Sequence, residues 1–345
     1  MGKVTLQTLA DELGVARSTV SNAFNRPDQL SAELRERVLA TADRLGYAGP
    51  DPVARNLRRG RSGVLGVLLK ESLVYAFGDP YAVAFLGALA ADAEVTGEGV
   101  LLIPSPPGED TTEPVRHAAV DAFCGFALPE DHPSLVAALR RDLPIVLVDG
   151  PRLPGQAFVG IDDEAAIGDV TRHLLELGHT ELAVLSFRLR PDGYQGPVDA
   201  RRLAAVAYRI TAQRLSGVLG ATSAAGRHAP VVEVGENVRE RARGAALELL
   251  RATPRPTAVV CLSDVLALGA LDAAAELGLR VPEDLSVTGF DDVVEADAAG
   301  LTTVRQPAED KGRAAAALLR SGERREVLLD HQLVVRRSTA PPPNR

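Results

Sequence analysis

Between Arg17 and Asn25, six polar side chains (Arg17, Ser18, Thr19, Ser21, Asn22 and Asn25) alternate with Val20, Ala23 and Phe24. Wound into a helix, the three apolar residues share one face and the polar ones share the other. Each polar side chain can hydrogen-bond to a base edge or a phosphate, and none is acidic. A helix lying in the major groove of DNA needs that complement. A solvated face on a small helical hairpin would carry the same residue types, so the flanking elements must decide.

Upstream, Leu6, Leu9, Ala10 and Leu13 recur at helical spacing behind Thr5, whose hydroxyl suits an N-cap. Gly14 ends that helix, and Val15 fills the angle before the next. Two helices and a tight turn make a helix–turn–helix. Downstream, Ser31 caps a third helix running to Leu45, with Gly46 as its terminator. The segment from Tyr47 to Gly63 then places Leu57 among Arg55, Arg58, Arg59 and Arg61. Pro52 behind Asp51 predicts a short basic helix there. A lone apolar residue among arginines suits a base step opened in the minor groove, with the arginines on flanking phosphates. A basic linker with Leu57 packed on a neighbouring domain is the alternative.

Charge is distributed unevenly. The chain has 345 residues and a net charge of −8, yet residues 1–62 carry ten Lys/Arg against seven Asp/Glu, which leaves −11 for the remainder. A basic head on an acidic body suits a protein that meets nucleic acid at one end. Met1-Gly-Lys-Val leads straight into the first helix, with neither a signal pattern nor an apolar run of transmembrane length, which predicts a cytoplasmic protein and no membrane partner. Cys124 and Cys261 are isolated, as expected of two reduced, buried thiols.

From Gly63 onward, β-branched runs alternate with Ala/Leu-rich helical stretches. Strands are expected at 64–69, 100–103, 125–128, 145–148, 157–161, 182–186, 231–234, 258–262 and 286–289. Helices are expected at 81–96, 133–140, 164–177, 213–222, 238–251, 265–277 and 308–319. Near-continuous apolar strands separated by helices predict parallel sheets covered on both faces. The number of units predicts two doubly wound α/β lobes, with ligand bound between them beyond the carboxyl ends of the strands. Asp79, Asp149, Asp264 and Asp291 stand at such ends.

These motifs resemble the LacI/GalR family of transcription regulators, and the resemblance covers nearly the whole length. It is carried by Val4-Thr-Leu, Gly14-Val15, Ser18-Thr-Val-Ser21 and Asn25, by Val53-Ala-Arg-Asn-Leu57, by Val281-Pro-Glu-Asp-Leu-Ser-Val-Thr-Gly-Phe-Asp291-Asp292, and by Leu301-Thr-Thr-Val-Arg-Gln-Pro307. The resemblance implies base reading by Arg17, Ser18 and Asn22, and phosphate contacts by Thr5, Thr19, Ser21, Asn25 and Tyr47. It implies a minor-groove wedge at Leu57 with Ala54 beside it. In the body it implies an effector site of Arg214 and Asp291, joined by Tyr81, Asp149, Asp264 and Gln306. A planar arginine facing a carboxylate suits a polyhydroxyl or other polar ligand.

Three positions depart from the family pattern: Ala16 in place of a capping Ser, Val218 in place of an aromatic after Arg-x-x-Gly, and Asn237 where an aromatic often stacks on the ligand. The long 188–209 connection suggests a lid in which Tyr194 supplies the missing ring.

The expected organisation is an all-α helix–turn–helix head over residues 1–48, a hinge helix and linker over 49–62, and a periplasmic-binding-protein-like body over 63–340. Within the body the first lobe is expected to take about 63–160 and 291–320, and the second about 161–290 and 321–340. The expected function is a homodimeric repressor of near-palindromic double-stranded operator DNA, controlled by a small polar effector such as a sugar. An activator is the nearest alternative, and a solute-binding protein without a DNA role is a more distant one. No GxSxG, Walker A, HExxH or dinucleotide glycine fingerprint is present. No catalytic residue, cofactor or metal is therefore expected.

Overall fold

The computed structural model describes residues 4–49, 60–106 and 109–343. The chain divides into two compact units, one ending at Gly63 and the other starting at Val64.

In the first unit, α1 (Leu6–Leu13) starts at Thr5, whose hydroxyl accepts from the Thr8 N–H while the Thr8 hydroxyl accepts from the Thr5 N–H. This reciprocal arrangement is a capping box with threonine in the place of the usual Glu or Gln. Gly14, at φ 65°, ends α1 in the left-handed region, where only a residue without Cβ sits freely. Helix α2 (Arg17–Asn25) follows, with no side-chain cap from Ala16. Ser31 caps α3 (Ala32–Leu45) through the Leu34 N–H. Leu9, Ala10, Val20, Ala23, Val38 and Ala42 form the core that holds the three helices together. Ala54 and Leu57 of the expected basic helix lie outside the described residues.

The second unit holds two sheets. The first has the order β12-β5-β4-β3-β1-β2 and is parallel throughout. Its strands are β1 (Val64–Leu69), β2 (Gly99–Pro104), β3 (Ala122–Phe126), β4 (Ile145–Val148), β5 (Ala157–Gly160) and β12 (Glu326–Leu328). The second has the order β10-β9-β6-β8-β7, with only β7 antiparallel. Its strands are β6 (Leu182–Ser186), β7 (Gly196–Pro197), β8 (Val231–Glu233), β9 (Ala258–Cys261) and β10 (Ser286–Thr288). β11 (Thr303–Arg305) and β13 (Gln332–Val334) form a separate antiparallel pair. Each main sheet carries an aliphatic core on each face, as helices on both sides require.

The lobe boundaries differ from expectation toward the C-terminus. Residues 302–305 stay with the second lobe, because Thr302 and Arg305 bridge to Thr288 and Asp291. Conversely β12, expected in the second lobe, pairs with β5 of the first. Three-residue strands are too short for hydrophobic periodicity to reveal their partners. For the same reason the short helices Leu73–Gly78, Thr112–His117 and Val294–Ala299 had no counterpart among the expected elements.

Two helix pairs set the positions of the site side chains. The Ala308–Ser321 helix lies against Pro80–Thr96 so closely that a Cβ at Gly312 would come 2.7 Å from the Phe85 carbonyl oxygen. The Arg209–Ala224 helix meets Asp163–Glu176 in the same way, with a Cβ at Gly217 falling 2.3 Å from the Glu164 carbonyl oxygen. Any larger residue would push these helices apart.

Candidate functional site

The head presents an uncapped helix N-terminus beside a polar face. Arg17 and Ser18 are exposed, while Thr19, Ser21 and Asn22 are half-buried. Ala16 makes no side-chain cap bond and the Thr19 N–H donates to the Ala16 carbonyl at 2.9 Å, so the Arg17 and Ser18 amides are the first-turn donors left for a phosphate oxygen. The Asn22 side-chain amide donates to Gln29 Oε1 at 3.3 Å, a long bond that a base edge can replace. Asn25, half-buried like Ser21 and Asn22, donates its amide to the Ser21 carbonyl at 3.0 Å on its own helix. The Thr5 hydroxyl is engaged in the capping box, and the Tyr47 ring packs edge-on against Phe24 with centroids 5.8 Å apart.

In the body, an outer cleft of about 940 Å³ narrows to an inner cavity of about 60 Å³. The outer volume is typical of a ligand pocket, while the inner one holds a few waters and no sugar ring. Glu71, Tyr75, Arg188, Gly235 and Asn237 line both and form the neck between them. Two contacts close the neck across the lobes. The Asn237 N–H donates to the Tyr75 hydroxyl at 3.0 Å, and Arg188 pairs with Glu71 at 3.1 Å.

Tyr81, Asp149, Arg214 and Asp291 all line the inner cavity. Asp149 and Asp291 follow β4 and β10 with φ of 53° and 124°. Such backbone is sparsely populated for residues with a Cβ, and strain of this kind gathers at ligand sites. Arg214 is almost wholly buried. Its Nε donates to Asp163 Oδ1 at 3.0 Å, one Nη donates to the Leu262 carbonyl at 2.6 Å, and the same nitrogen lies 3.7 Å from Asp291. Its guanidinium stacks 3.6 Å from the centre of the Phe290 ring.

Gln306 lies behind the wall and donates to Asp291 Oδ1 at 2.5 Å. Asp264 does not line the cavity. Its oxygens accept from Thr303 Oγ1 at 2.5 Å and from the Val293 N–H at 2.9 Å, tying the Asp264–Glu276 helix to β11 and to the start of the Val294–Ala299 helix.

Burial governs the ionisation of the cavity wall. It lifts the Asp79 carboxyl, which Lys70 and the Tyr81 amide partly offset. It lifts Asp291 well above the ordinary range, with Arg214 opposing. Burial also lowers the Lys70 ammonium, against the pull of Glu71. Cations and carboxylates thus alternate around a small cavity, an arrangement suited to a ligand whose groups both donate and accept hydrogen bonds. Among the described residues no cluster of His, Cys, Asp and Glu could hold a metal ion, and no helix is long and apolar enough to cross a membrane.

The profile of bacterial regulatory proteins of the lacI family matches residues 5–49, and that of the periplasmic binding protein-like domain matches residues 171–339. The HTH-type transcriptional regulator Rv3575c of Mycobacterium tuberculosis is 46% identical, over 99% of this chain and 98% of its own. The chain belongs to the LacI family. It is also similar to the lac repressor dimer bound to operator and the anti-inducer ONPF, with a TM-score of 0.77 and 25% identity over 98% of this chain and 100% of that one. A transcriptional regulator CelR–cellobiose complex matches with a TM-score of 0.68 and 27% identity, over 97% of this chain and 100% of that one. As a LacI-family transcriptional regulator, the protein binds DNA and carries a ligand-binding body.

Sequence reasoning missed several residues of this LacI-family cleft. Lys311, fully buried, donates to Tyr81, Asp149 and Gln306. It reads as surface charge in Ala-Glu-Asp-Lys-Gly, yet it shares the i, i+4, i+7, i+8 stripe with Ala315, Leu318 and Leu319, a signal of burial. Asp163, the partner of Arg214, opens a helix and reads as an ordinary first-turn acid. Tyr75 stands on the unexpected Leu73–Gly78 helix and brings an aromatic ring to Asn237, the position that lacks one. Tyr194 does not take that place. Its ring stacks 4.1 Å from the Arg202 guanidinium and its hydroxyl donates to the Pro197 carbonyl, while Arg190, Pro191, Gly193 and Gln195 wall the outer cleft. Val218 is a core residue, fully buried in an apolar cluster of the second lobe.

Proposed function

We propose that this LacI-family regulator is a cytoplasmic repressor that binds a near-palindromic operator as a homodimer and responds to a small polyhydroxyl effector held between its lobes. The hinge residues Ala54 and Leu57 are assigned the minor-groove role, and Arg17, Ser18 and Asn22 the base-reading role. Thr5, Thr19, Ser21, Asn25 and Tyr47 are assigned phosphate contacts. Tyr81, Asp149, Arg214 and Asp291 are assigned to the effector wall, Gln306 to its support and Asp264 to the structure behind it.

The observation that carries the reading is a wall of charged and hydroxylated side chains gathered at the sheet ends of both lobes, on a chain whose other unit is a helix–turn–helix. The lac repressor dimer on operator and the cellobiose complex of CelR support the two halves by analogy. A ligand larger than the inner cavity must part the neck contacts between Tyr75 and Asn237 and between Glu71 and Arg188. The lobe angle then follows the ligand's differential affinity for the open and closed forms.

The test is retention of fragmented genomic DNA of the source organism at near-physiological salt, followed by release with a panel of sugars and polyols. A short list of sites sharing one palindrome, upstream of genes that turn on when the protein is deleted, is expected. Diffuse, salt-sensitive retention would refute the operator assignment. Genes that fall silent on deletion would make it an activator.

A further inference from the structure

The most unusual buried group in the body is Lys311. Its ammonium has no exposure, and its three protons are donated to Tyr81 Oη at 2.8 Å, Asp149 Oδ1 at 2.7 Å and Gln306 Oε1 at 2.6 Å. The Tyr81 hydroxyl gives its own proton to Asp149 Oδ2 at 2.7 Å. Beyond Gln306 the contacts continue through Asp291 and Arg214 to Asp163 in the second lobe. Lys311 itself does not line the cavity, whereas Tyr81 and Asp149 do.

We propose that Lys311 is a specificity-determining residue of the cleft, one that acts through Asp149 and Tyr81 and makes the site select neutral polyols over their amine-bearing analogues. The inference rests on the polyhydroxyl reading above and adds the residue that sets the charge preference. With Lys311 in place, the wall formed by Tyr81 and Asp149 has no net charge. Its protons are all spent inside the protein, so it offers a ligand only lone pairs. A ligand hydroxyl donates into such a wall and accepts from Arg214 of the second lobe. A ligand ammonium can donate as well, but the charge it would pair with is already neutralised. It also enters the field of Lys311, one hydrogen-bonded atom further back, while the other carboxyls of the wall already have cations beside them: Glu71 has Arg188, Asp291 has Arg214 and Asp79 has Lys70. Without Lys311, Asp149 becomes an unpaired carboxylate and the preference reverses.

The experiment measures binding by the full-length protein of glucose, galactose, mannitol, inositol and cellobiose, and of glucosamine, galactosamine and aminodeoxyinositol. Calorimetry gives the ratio of neutral to amine affinity. Wild type is expected to bind one neutral compound at least tenfold tighter than its amine. Lys311→Met should shift that ratio toward the amine by roughly tenfold or more. Asp149→Asn leaves the lysine unpaired and should shift it the opposite way. That variant provides the test if Lys311→Met does not fold. A purely structural lysine would lower both affinities together, and an unchanged ratio in the two variants would overturn the proposal. So would a wild-type preference for an amine. Binding of none of the compounds would overturn the polyol class, while retention of a palindromic operator would leave the repressor reading standing.

Discussion

Replacing Asp264 with Asn separates a structural carboxylate from an effector ligand. Asp264 is fully buried, accepts from Thr303 and Val293, and packs so tightly that a Cβ on Gly289 would fall 2.1 Å from its Oδ1. Burial lifts its carboxyl from 3.8 to about 6, with the Thr303 and Val293 hydrogen bonds opposing the lift. A carboxyl whose folded value lies above its unfolded value binds its proton more tightly in the native state. Its contribution to stability is therefore greatest at low pH and is lost as pH rises through the folded value. Between pH 4.5 and 7 the loss amounts to about 2 kcal/mol for a gap of this size. An asparagine has no such dependence. The stability of wild type relative to Asp264→Asn should fall by about 2 kcal/mol from pH 4.5 to pH 7, a relative change in melting temperature of roughly 4–8 °C. Taking the difference between the two proteins cancels raised carboxyls that Asp264 does not influence, such as Glu71, Asp79 and Asp163, while Asp291, which the Asp264 charge helps to lift, contributes a smaller change of its own. Thermal unfolding at several pH values is the assay, accompanied by operator release with the compound that releases wild type. A difference constant across the pH range would refute the ionisation argument. Loss of effector response in an otherwise stable variant would return Asp264 to the effector wall.

Asn22→Ala should relax preference at one base position per half-site with little change in salt dependence; uniform weakening across operator variants would make Asn22 a phosphate contact instead. For Leu57→Ala, operator affinity should drop more than affinity for random DNA in parallel titrations, and an equal drop in both would remove the wedge role. Arg214→Met strips the partner from buried Asp163 and Asp291 and should cost about 3–5 kcal/mol in denaturant unfolding. Any folded fraction should hold operator and ignore the effector, whereas a normal effector response would take Arg214 out of the site.

The regular elements and their ends were legible in the chain because local chemistry sets them. Thr5 and Ser31 cap the helices they were expected to cap, and Gly14 and Gly46 end them in left-handed backbone. Strands 64–69, 145–148 and 182–186 run where apolar, β-branched runs predicted them, since a strand buried on both faces has no other composition. Positions at strand ends were legible too, and they brought Asp149 and Asp291 to one cavity.

Which charges face the ligand and which are spent inside the protein could be decided only by the tertiary fold. Asp264 and Asp149 look alike in sequence, each an aspartate at a strand end. Thr303 and Val293 arrive from distant segments to saturate the first, while Lys311 neutralises the second and leaves it at the cavity wall. Tyr75 instead of Tyr194 brings a ring to the neck. A side chain's type and its place along the chain determine the bonds it can make. The partners it finds come from residues tens to hundreds of positions away, and in a medium of low dielectric those partners determine its charge.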